Sequence, residues 1–178
     1  MKKTCLALAV TLVLAVFSVS AQAATASGTL TVTATVTGSI HLIFNTDPSG
    51  VTLTGTGTPT ATLAFGSVEA YGGCPANVTC TPAANNFAVS SPVDVAVYKY
   101  NSSSASYTLT AALGTADATD TWAVGGVTIT TTAATITATG AYTASGTGTN
   151  YPVQITIPYT VANGTNISNT IAYTATSN

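Results

Sequence analysis

Threonine and an apolar residue alternate from Thr29 to Thr37, with Leu30, Val32, Ala34 and Val36 at every second place. Successive side chains of an extended chain point to opposite faces, so this period sorts the segment into an aliphatic face and a hydroxyl face. A helix would spread both sets around its circumference, and the pattern therefore restricts the chain to strands. The same alternation returns at Val51 to Thr54, Ala134 to Ala138 and Val153 to Ile157. An all-β protein is expected.

What precedes the first alternating run has the three parts of an export signal. Lys2 and Lys3 give the basic start, Leu6 to Val19 the apolar stretch, and Ala21-Gln22-Ala23 the small-x-small cleavage pattern. The apolar run falls short of the ~20 residues of a membrane-spanning helix and ends without basic residues. Residues 1–23 are thus expected to be removed. Residues 24–38 would form an N-terminal strand, and residues 39–178 one domain with a sizeable core. A secreted product, extracellular or at the cell surface after passage through a periplasm, is the expected location.

Loss of the signal leaves Lys99 against Asp47, Glu69, Asp94, Asp117 and Asp120, one base against five acids and a formal charge of −4. Nucleic-acid binding needs basic side chains to displace counterions from phosphates, so no nucleic-acid partner is expected. Low charge with high β propensity instead favours edge-to-edge association. Cys74 and Cys80 lie six apart, and in an oxidising compartment a disulfide closing that short loop is the default. A metal pair would want a histidine or further cysteine nearby, and none is there.

Side chains able to do chemistry are few, so neither an enzyme nor a cofactor or metal site is expected. His41 is the sole histidine and falls out of phase with the apolar Ile40, Leu42 and Phe44. No Gly-x-Ser-x-Gly elbow exists, and Glu69 has no second acid close in sequence. Asp117 and Asp120 share a loop but lack the acidic spacing of an EF-hand, and read as solvated carboxylates. Trp122, Tyr98 and Tyr100 are the candidates for a sugar-stacking platform, which would suit a monomeric secreted adhesin or glycan-binding protein.

Further strands are predicted at Ser39 to Asn45, Val51 to Thr54, Pro59 to Phe65 and Phe87 to Ser91. Residues 66 to 85 read as a long loop carrying the cysteines. Val93 to Tyr100 and Ser106 to Leu113 are expected to form a hairpin. Trp122 to Val124 and Val127 to Thr131 form another across Gly125-Gly126, and strands at Ala134 to Ala144, Tyr151 to Val161 and Ile167 to Thr176 complete the set. Pro158 cannot donate to a ladder, which predicts an edge or bulge there. Asp47-Pro48-Ser49-Gly50 has the chemistry of a turn. Many short strands at this spacing indicate a β-sandwich or barrel.

The signal, the alternation beginning just after Ala26, Leu63-Ala64-Phe65-Gly66 and the late run from Tyr151 to Tyr159 together resemble a group of secreted bacterial β-sandwich proteins. These are related to spore coat protein U and to the chaperone–usher pilins. The resemblance implies a single Ig-like or pilin-like antiparallel sandwich and self-association into a homopolymer, with a periplasmic chaperone and an outer-membrane usher as further partners. It also implies a role for the alternating strand: Leu30, Val32, Ala34 and Val36 would complete the sheet of a neighbouring subunit, as a donor strand.

Overall fold

A computed structural model describes residues 29–144, 146 and 148–178. The expected signal, residues 1–23, lies outside them, as do residues 24–28 of the N-terminal strand. The described chain is all-β, with eleven strands in three antiparallel sheets and no helix.

Strand β1 (Ser39–Thr46) pairs with β4 (Val93–Tyr100), whose other neighbour is the short β9 (Thr149–Asn150). A five-stranded sheet has the order β2 (Thr79–Pro82), β3 (Asn86–Ser91), β10 (Val153–Pro158), β6 (Thr121–Val124) and β7 (Val127–Ile129). The third sheet places β5 (Tyr107–Leu113) between β11 (Ile171–Ser177) and β8 (Ala134–Gly140).

The first two sheets run into one another. β3 leads into β4 through Pro92, and β9 into β10 through Tyr151 and Pro152. Ser91 pairs with Val153 and Asp94 with Asn150, registers that continue to set Pro92 opposite Pro152. The Tyr151 amide donates to the Val93 carbonyl at 2.8 Å, a bonded pair of the ladder. The next pair, Pro92 and Pro152, is therefore a non-bonded one whose ring nitrogens face away from each other's strand, so neither proline costs this ladder a donor.

The core lies where the third sheet faces the other two. Val95 and Val97 of β4 pack with Tyr107 and Leu109 of β5. Phe87, Val89, Trp122, Val124, Ile155 and Ile157 pack with Ala111 and Leu113. A smaller group holds Leu53, Val93 and Val153, with Phe44, Ala61, Leu63, Phe65 and Ile171 around it. Burial alternates strictly along β5 and β10, as period two requires of strands with one face in the core. Along β4 every residue from Val93 to Val97 is buried, Asp94 at 3% exposure included, so both of its faces are covered.

Several local expectations hold. Gly125 and Gly126 take φ of 56° and 80°, the left-handed pair that a two-residue type I′ hairpin needs, and they join β6 to β7. The turn at residues 47–50 is closed by the Gly50 amide on the Asp47 carbonyl at 2.9 Å.

Others are corrected. β4 and β5 do not form a hairpin: they belong to different sheets and meet face to face across the core. Residues 51–54 and 59–65 form no strands and make one isolated bridge, Thr54 with Thr62, while Thr58 between them bridges Phe44 of β1. Part of the expected long loop is β2. The strand holding Pro158 is central rather than at an edge. The proline is tolerated because it ends β10, two residues past Thr156, the last to pair with β6.

Candidate functional site

The alternating segment forms no strand. Residues 29–38 take no regular secondary structure, and Leu30, Val32 and Val36 are 89%, 81% and 74% exposed. Ala34 is exposed as well. Burial of large aliphatic side chains is the main favourable term in folding, so this row is an unused source of it.

In the body of residues 36–178, β11 has β5 as its only strand partner among the described residues. The Gly114 amide donates to the Thr170 carbonyl and the Asn178 amide to the Ser106 carbonyl. Antiparallel pairs alternate between bonded and non-bonded, so even-numbered residues of β11 turn their amides and carbonyls toward β5. Ile171, Tyr173, Ala175 and Ser177 thereby present theirs to the open edge. This edge carries no charge and no proline from Ile171 to Ser177, the devices that normally blunt an edge strand.

Beside that edge runs a groove of about 1000 Å³. Residues 163–171 with Tyr173 line one side, residues 61–68 the other, and Val89, Val93, Val153, Ile155 and Ile157 the floor. The floor is apolar throughout and comes from β3, β4 and β10. Burial raises the Tyr173 phenol well above its ordinary range, keeping it protonated at any physiological pH. Its ring meets Phe44 edge to face at 5.0 Å.

The remaining sequence-predicted residues scatter. Cys74 and Cys80 are joined in a disulfide with Cα atoms 6.1 Å apart, closing the loop that leads into β2. Trp122 is 6% exposed within the core, and its Nε1 donates to Asp117 Oδ2 at 2.8 Å, so its ring faces are not offered to a ligand. Tyr98 and Tyr100 lie at the far end of β4, Tyr100 55% exposed. His41 points outward on β1 opposite Tyr98. Lys99 donates to the Ser104 carbonyl at 2.8 Å and lies 5.2 Å from the centre of the Tyr142 ring.

Asp117 shapes its own loop. Its Oδ1 accepts from the amides of Thr119 and Asp120, and these bonds with that from Trp122 hold its carboxyl below the ordinary range. Asp120 is opposite in character. Its Oδ1 is buried without a partner, and desolvation, helped by the charge of Asp117, raises its pKa. No group of three metal-ligating side chains occurs among the described residues.

Sequence reasoning missed a column of three aromatic rings. Tyr159 stacks on Phe87 with centroids 6.0 Å apart and on Tyr71 at 6.1 Å. Its hydroxyl joins those of Tyr71 and the Ala83 carbonyl. The three lie 16 and 72 positions apart along the chain, so no local spacing announces them. No family profile and no curated protein matches this chain.

Proposed function

We propose that this protein is the structural subunit of an extracellular or cell-surface filament, polymerising by strand addition between subunits. The observation that carries this reading is an unpaired, alternating segment, residues 29–37, in a chain whose β11 has an open edge beside a groove with an apolar floor. Backbone bonds to Ile171, Tyr173, Ala175 and Ser177 supply affinity. Leu30, Val32, Ala34 and Val36 enter the groove and set the register. Burying those four side chains contributes on the order of 6–10 kcal/mol before ordering costs.

Such a contact joins two different surfaces, so it does not close on itself and extends into a filament. Passage through the periplasm, with a chaperone holding the open edge and an usher exporting the subunit, fits the same reading. An unguarded edge beside exposed aliphatic side chains would otherwise associate at once.

Deletion of residues 24–37 tests the proposal on the secreted product. Full-length material is expected to form filaments under negative stain and to elute as a polymer. The deleted form is expected to remain monomeric with unchanged β-sheet circular dichroism. Equal assembly by the deleted form overturns the reading.

A further inference from the structure

The groove floor is already dry. Val89, Val153, Ile155 and Ile157 are only 1–6% exposed although they line it, so something covers them. Part of that cover is the segment from Ala61 to Ala70. Ala61, Leu63 and Phe65 are half-buried and alternate with exposed Thr62, Ala64 and Gly66, the same period as Leu30 to Val36. Leu63 and Phe65 pack on the Leu53, Val93 and Val153 cluster, and Phe65, Val68 and Ala70 on the larger core.

From Leu63 onward the segment is held by side chains only. Between Leu63 and Cys74 no backbone–backbone hydrogen bond is formed among the described residues. Upstream it is anchored where Thr54 and Thr62 exchange both amide bonds, at 3.1 and 2.8 Å. Left-handed glycines lie before it and within it, Gly57 at φ 80° and Gly66 at φ 73°. Chain with apolar contacts but no ladder is the kind that opens locally at low cost.

We infer that residues 61–70 are a built-in strap that lies along the acceptor groove of the unassembled subunit, covers part of its floor, and is displaced by residues 29–37 of a second copy. The inference rests on the strand-addition reading and adds its regulation. The strap keeps the floor from water but leaves the β11 edge unbonded, whereas the incoming strand satisfies both. Exchange therefore runs toward assembly, at a rate set by how often the strap lifts.

The test locks the strap in the full-length protein with Thr54→Cys and Thr62→Cys together. A hydrogen-bonded antiparallel pair has Cα atoms ~5.5 Å apart, within disulfide reach. Oxidation is expected to slow filament growth, followed by light scattering, at least tenfold. It should also slow amide exchange at residues 63–70. Mild reduction should restore both, with wild type carried through the same reductant because Cys74 and Cys80 are also bridged. Leu63→Ser, which loosens the strap, should speed growth. Growth of the locked protein at the unlocked rate overturns the strap. If no form grows, strand addition itself fails, and the exchange rates alone decide: slowing by the lock supports a strap that lifts, and no slowing overturns it.

Discussion

Two aspartates three positions apart pull stability in opposite directions with pH. Asp117 ionises more readily in the folded chain than its ordinary 3.8, because two amides and the indole N–H donate to it. Its contribution is present above that value and is lost as pH falls through the lower folded one. Asp120 holds its proton more tightly than usual, so its burial weakens the fold as pH rises through the raised value. Asp117→Ala leaves the buried indole N–H unpaired and is expected to cost about 1–3 kcal/mol at neutral pH by urea denaturation. Asp120→Asn is expected to raise the melting midpoint by a few degrees, ~2–4 °C for each kcal/mol in a chain of this size. That gain should vanish by about pH 3, where the carboxyl is protonated folded or unfolded. A midpoint unmoved at neutral pH would show that the half-buried charge of Asp120 costs the fold nothing.

At the level of elements, the open edge of β11 is what strand addition needs, and one substitution separates it from the fold. Ala175 turns its amide away from β5, so Ala175→Pro removes a donor from the open edge and leaves the β5 ladder whole. The variant is expected to fold, by its circular dichroism and melting curve, and to lose filament growth. Growth at the wild-type rate would mean that the backbone of this edge is not the contact.

The elements also show where the sequence could be read. Gly125-Gly126 between Trp122-Ala123-Val124 and Val127-Thr128-Ile129 announced the β6–β7 turn, because few residues accept two successive left-handed φ values. The faces of β4 and β5 were equally legible, but not their partnership. Val95 and Val97 need the apolar face of Tyr107 and Leu109, and that need is met side by side in a hairpin or face to face across a core. Periodicity cannot tell these apart. The same gap explains residues 59–65, whose alternation is real although they join no sheet. Of the candidate site, the alternating segment and a chargeless strand near the C-terminus were visible in sequence, but not that this strand, β11, lies at an edge. The groove was not, since its walls come from residues 61–68 and 163–171, brought together only by the fold.

On the scale of the whole molecule, charge is almost absent from the contact proposed between subunits. Residues 29–37 contain no ionisable side chain, nor do residues 171–177 apart from the protonated Tyr173. Screening therefore has little to act on. Filament growth is expected to change less than about twofold between ~0.05 and ~0.5 M sodium chloride, within which the screening length shortens severalfold. Steep loss of growth with salt would indicate that charged groups elsewhere bring the subunits together.

Pro92 and Pro152 face each other across neighbouring strands at a non-bonded pair, where opposing side chains come closest. Each ring nitrogen turns away from the opposite strand, so two prolines sit at the junction of two sheets without breaking the rungs between them. As cross-strand neighbours they should couple: the stability losses from replacing each should fail to add in a double-mutant cycle followed by urea denaturation.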